Sequence, residues 1–149
     1  MYRKILVPVE NSPYDDAIVD HVLELAKITK SSIVLIHVAD GWAARNISQL
    51  KLRESEEMKQ DREYIEKLAE QIETQGVDAE ALLASGDPAT EISQAAAREN
   101  CDLIAMSTHG HKFIGDVIHG SVSHTVRHAS HIPVLLVRGS AQGRVSKPK

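Results

Sequence analysis

One cysteine, one tryptophan, one phenylalanine and three tyrosines are all that 149 residues hold of thiols and aromatic rings. Cys101 alone cannot close an internal disulfide, which removes the small disulfide-stapled folds and fits a reducing compartment. An aromatic content of 3% leaves no row of platforms for stacking unpaired bases. The 17 Lys and Arg fall short of the 21 Asp and Glu, and a net charge of −4 has the wrong sign for neutralising phosphates along a nucleic acid. No nucleic-acid partner is expected. No apolar run approaches the ~20 residues of a membrane helix, so no membrane partner is expected either. Met1-Tyr2-Arg3-Lys4 leads into a short apolar stretch closed by Pro8 and Glu10 rather than by small residues, so a secretory signal is not expected and the expected location is the cytoplasm.

What is present is alternation. Apolar runs of strand length alternate with helical patterns, the sign of a parallel α/β domain, and a chain of this length with 42% hydrophobic residues can bury one core. Residues 5–9 read as a strand buried on both faces. Ser12-Pro13-Tyr14-Asp15 reads as a helix start, with Ser12 as N-cap, Pro13 at the first helical position and Asp15 at the positive end of the dipole. That helix should run to about Thr29, with Ala17, Ile18, Val22, Leu25 and Ala26 inward.

Residues 33–38 form a second strand, followed by Asp40-Gly41-Trp42 and a loop. A long polar helix over 48–74 carries an apolar stripe at Ile65, Leu68, Ala69 and Ile72, its charges forming a solvated face, and Gly76 ends it. Val77, Ala79, Ala81 and Leu83 alternate as a half-exposed strand. Asp87 is a second N-cap with Pro88 behind it, leading into Ile92, Ala95 and Ala96. Residues 102–106 are the fourth strand, Gly120-Ser121 opens a fourth helix with Val122, Val126 and Ala129 inward, and residues 132–137 are the fifth strand. Residues 139–149 are a polar, basic tail expected to lack structure, leaving one domain over 1–138.

Five strands in this alternation predict a doubly wound sheet, commonly ordered 2-1-3-4-5 or a close relative, with ligands outside the carboxyl ends at the switch point. That directs attention to residues 8–12 and 107–120. The second loop runs into a helix start, where free backbone N–H groups, the helix dipole and the Ser121 hydroxyl meet, a natural phosphate site. Gly110 and Gly120 either let the backbone approach an anion or only shape turns. Gly110 and Gly115 have the spacing of a P-loop, yet Asp116-Val117 stands where Lys-Ser/Thr is required, and the turn after strand 1 has no glycine for a dinucleotide fingerprint.

The loop Gly110-x9-Gly120-Ser121, the final strand Ile132-Pro133-Val134-Leu135-Leu136-Val137, the opening Ile5-Leu6-Val7-Pro8-Val9, Ile36-His37-Val38 and Gly86-x-Pro88 with Ile92 occur in the order found in the universal stress proteins. Residues 3–138 resemble that family's ATP-binding branch. The resemblance implies a five-stranded parallel sheet in order 3-2-1-4-5 with helices on both faces, cytoplasmic location and homodimers. It further implies ATP, or ADP or AMP, with Mg²⁺ or Mn²⁺. By position, Pro8, Val9 and Glu10 would border the adenosine, the Val38 backbone would bond to adenine, and Met106 would line the pocket. Ser107, His109, Gly110, Gly120, Ser121, Val122 and Ser123 would surround ribose and phosphates. The chain departs from the pattern in having Ser107 for a glycine and Glu10-Asn11-Ser12 for Asp-Gly-Ser. Those departures keep open an alternative, a dimeric interaction module that binds no nucleotide.

Six of the eight histidines lie between 109 and 131. His124 and His128 share a helix face, yet no acid or cysteine nearby completes a metal set, so exposed histidines are expected rather than a zinc site. His109 either touches the nucleotide or only shapes its loop. Ser121 lacks a nucleophile elbow and an oriented histidine, which favours phosphate contact over catalysis. With no P-loop lysine, general base or arginine finger evident, hydrolysis is expected to be slow at most. Cys101 reads as structural. Trp42 reads as a loop anchor, with stacking on the base as the alternative. Val134–Val137 should be a sheet edge, and antiparallel pairing with a second copy would satisfy its backbone.

Overall fold

Ile5, Leu6 and Val7 are almost wholly buried, as a central strand covered on both faces must be. They belong to a computed structural model that describes residues 1–40, 47–108, 122, 125–127 and 130–138. The elements are β1 (Lys4–Pro8), α1 (Asp15–Thr29), β2 (Ser32–Asp40), α2 (Ile47–Glu73), β3 (Ala79–Gly86), α3 (Pro88–Arg98), β4 (Leu103–Ser107) and β5 (Val134–Val137). They build one five-stranded sheet in the order β3-β2-β1-β4-β5, with every pairing parallel.

This is the order 3-2-1-4-5 that the family resemblance implies, rather than the commoner 2-1-3-4-5, and β3 shows why. Its side chains are half-buried or, at Glu80 and Ser85, exposed, which suits an edge and not the interior position that 2-1-3-4-5 would demand. It pairs with β2 from Ile33↔Ala79 to Asp40↔Gly86.

Strand periodicity divides the core in two. Ile5, Val7, Ile33 and Leu35 face α1 and α2, packing with Ile18, Val22, Ile65, Leu68 and Ile72. Leu6, Val34, Ile36, Ile104 and Met106 face the other way, against Ile92, Ala95 and Ala96 of α3 and against Val126. Val122 and residues 125–127 are helical, and Ser130 N donates to Val126 O at 3.0 Å. Val122 and Val126 therefore lie inward as the fourth helix requires. Ala129 and the tail 139–149 lie outside the described residues.

Two helix starts came out differently. At α3, Asp87 accepts from Thr90 N at 3.0 Å with Pro88 behind it, a cap worth about 1 kcal/mol. At α1, Ser12 is not the N-cap. The helix begins at Asp15, and Tyr14 stands before it without a side-chain cap. Residues 12–15 form a turn closed by Asp15 N donating to Ser12 O at 3.1 Å. The buried stripe is correspondingly Ile18, Val19, Val22, Leu23 and Ala26, with Ala17 and Leu25 only half buried. Cys101 is buried, and burial pushes its thiol up to about 11, which makes it a packing residue.

At the amino edge, Asp102 clasps the start of β1. It accepts from Arg3 N at 2.8 Å and Lys4 N at 3.1 Å. Partial burial works against its charge, but these amides prevail and hold the carboxyl below its ordinary 3.8. A depressed carboxylate stabilises the fold above its unfolded value and loses that contribution as pH falls through the folded one. Asp102→Asn should therefore melt lower than wild type at pH 7, and the gap should narrow as the pH falls below the ordinary 3.8; paired thermal melts at neutral and acid pH check it.

Candidate functional site

The site begins where the sheet divides. β1 and β4 share ladder positions only at Ile5↔Leu103 and Leu6↔Ile104. On either side the ladders run further: β1 with β2 to Pro8↔Ile36, and β4 with β5 to Ser107↔Val137. Val9 N still donates to Ile36 O, and Thr108 N to Val137 O, both at 2.9 Å. β1 is thus drawn toward β2 and β4 toward β5. The crevice between them is the switch point of the topology, at the carboxyl ends of the strands, where α/β sheets bind ligands.

Pro8, Val9 and Glu10 leave β1 on one wall, and Met106, Ser107 and Thr108 leave β4 on the other. Val9 and Met106 are buried, whereas Pro8, Glu10 and Ser107 are half-exposed. Val38 adds backbone. Alternate residues of a strand present their peptide groups to the same neighbour. Ile36 O points to β1, so the peptide groups of Val38 face that side too, beyond the Pro8↔Ile36 end of the ladder. Of the predicted set, then, Pro8, Val9, Glu10, Val38, Met106 and Ser107 lie at or near the carboxyl ends of β1, β2 and β4, beside the switch point. Val122 lies on the helix beyond it, half-buried against the α3-side core. His109, Gly110, Gly120, Ser121 and Ser123 lie outside the described residues, as do Trp42, His124 and His128.

The loop 9–12 is held by side chains that periodicity did not single out. Asp15 is buried, and a carboxylate out of water must be hydrogen-bonded. It accepts from Glu10 N at 2.9 Å and Ser12 N at 3.1 Å. Tyr64, on α2, donates its hydroxyl to Asp15 Oδ2 at 2.6 Å. Burial, and then the Asp15 charge and this bond, hold the Tyr64 phenol well above its ordinary value. His37, buried on β2, places Nδ1 3.0 Å from Val9 O and Nε2 3.1 Å from Asp61 Oδ2. A carbonyl only accepts, so Nδ1 carries a hydrogen there. Asn11 Nδ2 donates to Asp61 Oδ1 at 3.2 Å. Ser12 Oγ lies 3.5 Å from Glu10 Oε2.

Two signals could have exposed this network. His37 is a polar residue in a buried apolar strand, which needs a partner. Asp61 and Tyr64 are three apart, and so share one face of a helix read only as solvated.

Among the described residues no group of three or more His, Cys, Asp or Glu side chains could hold a metal ion, and no helix is long and apolar enough to cross a membrane. A cleft of about 540 Å³ opens at the opposite, amino end of the strands, between Arg3, Lys27, Lys30 and Asp78. The switch-point crevice is the one at which the topology gathers strand ends.

A doubly wound α/β domain whose β1–β4 ladder ends at Leu6↔Ile104, at the topological switch point, is thereby defined. The chain belongs to the universal stress protein family, whose model matches residues 1–138. It is 28% identical over 148 residues to universal stress protein YxiE of Bacillus subtilis, covering 93% of this chain and 100% of that one. To universal stress protein MJ0577 of Methanocaldococcus jannaschii it is 30% identical, covering 93% and 96%. The solved structure of MJ0577 superposes with a TM-score of 0.74 over the same shares of the two chains. A universal stress protein of Archaeoglobus fulgidus, solved in complex with dAMP, shares the fold at a TM-score of 0.63 and 18% identity, over 92% and 98% of the chains.

Removing the Asp15 carboxylate strips two amides and a phenol of their acceptor. Asp15→Ala should lower unfolding stability by about 2–3 kcal/mol, the scale of hydrogen bonds to a charged group, as measured by urea denaturation.

Proposed function

We propose that this chain is a homodimeric, cytoplasmic universal stress protein that holds an adenine nucleotide, ATP or its products ADP or AMP, in the crevice between β1 and β4. The ligand acts as a signal or switch in the stress response and is hydrolysed slowly at most. The observation that carries this reading is the parting of β1 from β4 beyond Leu6 and Ile104. It sets an acid-bearing loop and a small residue, Ser107, on opposite walls, at the start of the segment that carries Gly110 and Gly120-Ser121. The domain is taken as residues 1–138, with 139–149 as a tail without structure of its own.

In this reading the peptide groups of Val38 bond the adenine edge, and Val9 and Met106 supply aliphatic walls in a chain with few rings to stack. Pro8 and Glu10 border the adenosine. Ser107, His109, Gly110, Gly120, Ser121, Val122 and Ser123 surround ribose and phosphates, the helix start supplying N–H groups and dipole. Mg²⁺ or Mn²⁺ suits such a site when phosphates provide most of its ligands, because Mg²⁺ needs only one or two protein carboxylates. Glu10 is the carboxylate at hand, and the ion would neutralise charge on the triphosphate. Support for slow turnover lies in the sequence, where the loop that would cradle the phosphates has Asp116-Val117 in place of a lysine and hydroxyl pair.

Support for the homodimer lies in β5, which ends the sheet order and leaves Leu136 37% exposed. An apolar edge with unpaired backbone invites a second copy of the same strand.

Purified protein should release adenine nucleotide on acid extraction, visible as excess absorbance at 260 nm over the weak 280 nm signal of one Trp and three Tyr. Apoprotein should bind added ATP with Mg²⁺ in calorimetry, and Gly120→Val should weaken that binding at least about tenfold by placing a side chain against the phosphates. Absence of both co-purified and added nucleotide would favour the nucleotide-free interaction module instead. Light scattering at micromolar concentration should give a dimer, and Leu136→Lys should shift it to monomer by putting a charge on the shared edge.

A further inference from the structure

Asn11 lies in the left-handed region at φ +62°, which asparagine bears better than most residues but glycine adopts more readily, and its surroundings hold it there. Those surroundings come from two elements. Its own side chain donates to Asp61. The amides on either side of it, of Glu10 and Ser12, are held by Asp15, and Asp15 is held in turn by the Tyr64 hydroxyl. The second oxygen of Asp61 meets His37, which reaches back to the Val9 carbonyl. Every residue from 9 to 12 is thus tied, directly or through one intervening side chain, to Asp61 or Tyr64, which lie one turn apart on α2.

We infer that Asp61 and Tyr64 are positioning residues for the ligand site. They stand behind the loop, in the helix layer, and act through it by fixing the direction in which Glu10 leaves β1. The inference rests on the nucleotide reading above and adds a regulatory element to it. A free loop would have to be ordered when ligand arrives, and that lost entropy would be subtracted from the affinity. Here the ordering is done at folding, by α2. The connection is reciprocal: a ligand that favours this loop shape also favours the α2 contacts, so α2 is the element through which occupancy is felt.

The test uses the full chain and its variants Tyr64→Phe and Asp61→Ala. ATP with Mg²⁺ is titrated by calorimetry, and hydrogen exchange is followed at the Glu10 and Ser12 amides, with the β1–β2 ladder as reference. Tyr64→Phe keeps the ring and should fold as wild type does. Each variant should bind ATP roughly five- to tenfold more weakly, the scale of one ordinary net hydrogen bond, because only part of the clamp's energy is felt at the ligand. The two loop amides should exchange faster while the ladder is unchanged. Adding Asn11→Gly to Asp61→Ala should restore part of the affinity, because glycine takes the left-handed conformation without a clamp. General destabilisation would instead speed exchange in the β1–β2 ladder along with the loop amides.

Unchanged affinity and exchange in Tyr64→Phe, or no recovery from Asn11→Gly, would overturn the inference while leaving the nucleotide reading intact. A wild-type chain that binds no ATP, even with loop exchange altered in the variants, would remove the nucleotide reading and the positioning role together.

Discussion

Two parallel strands that begin as neighbours and then stop sharing hydrogen bonds set the shape of everything at the carboxyl edge of this protein. β1 is paired on both sides at Ile5 and Leu6 and on one side only at Val7 and Pro8. A backbone that leaves a ladder must find other partners or meet water. Val9 finds Ile36, and Thr108 finds Val137, each on the outer side. The crevice is therefore no accident of loop shape, since both walls are continuations of strands pulled apart by their other neighbours. Its position follows from the order of connection, with β2 and β3 laid down on one side of β1 and β4 and β5 on the other.

The second constraint is the burial of polar groups beside that crevice. A carboxylate and an imidazole in the helix-sheet interface would each cost several kcal/mol if left unpaired. Asp15 and His37 are buried nonetheless, because each has protein partners on more than one side. Their net contribution to stability is modest, as for most such groups, but the geometry they demand is narrow. A hydrophobic residue in place of either would leave those partners unpaired and would not specify where residues 9–12 lie. Polar groups at this interface define a conformation more than they strengthen the fold.

The architecture was legible in the sequence because it rests on periodicity. Unbroken apolar runs marked β1, β2 and β4, alternation marked β3 as half-exposed, and Asp87-Pro88 marked the start of α3 through the chemistry of its cap. The strand order was less so: alternation of elements leaves 2-1-3-4-5 open, and the half-buried β3 decides against it only when that pattern is read as an edge. Ser12 misled because Ser followed by Pro is a good helix start in general, whereas here the buried Asp15 carboxylate one turn later binds the amide of Ser12 itself and keeps that residue in a turn. The strand-end residues of the site followed from topology. The network behind them did not, because Asp61 and Tyr64 acquire their role only from a tertiary contact between residues 49 or 50 positions from their partners. In the sequence they are two polar residues on a helix crowded with charge.

The clasp between Asp102 and the amides of Arg3 and Lys4 also has a meaning in time. The two ends of that contact are separated by 98 and 99 positions, and β1 gains its second neighbour only when β4 exists. At a synthesis rate of about 5–20 residues per second, the first strand waits on the order of ten seconds with one edge bare. During that interval β2 can join it, then β3, so the half of the sheet that carries α2 can form before the rest has been made. The crevice is the seam between what folds early and what folds late, and a chain interrupted before residue 103 would expose the edge of its most apolar strand.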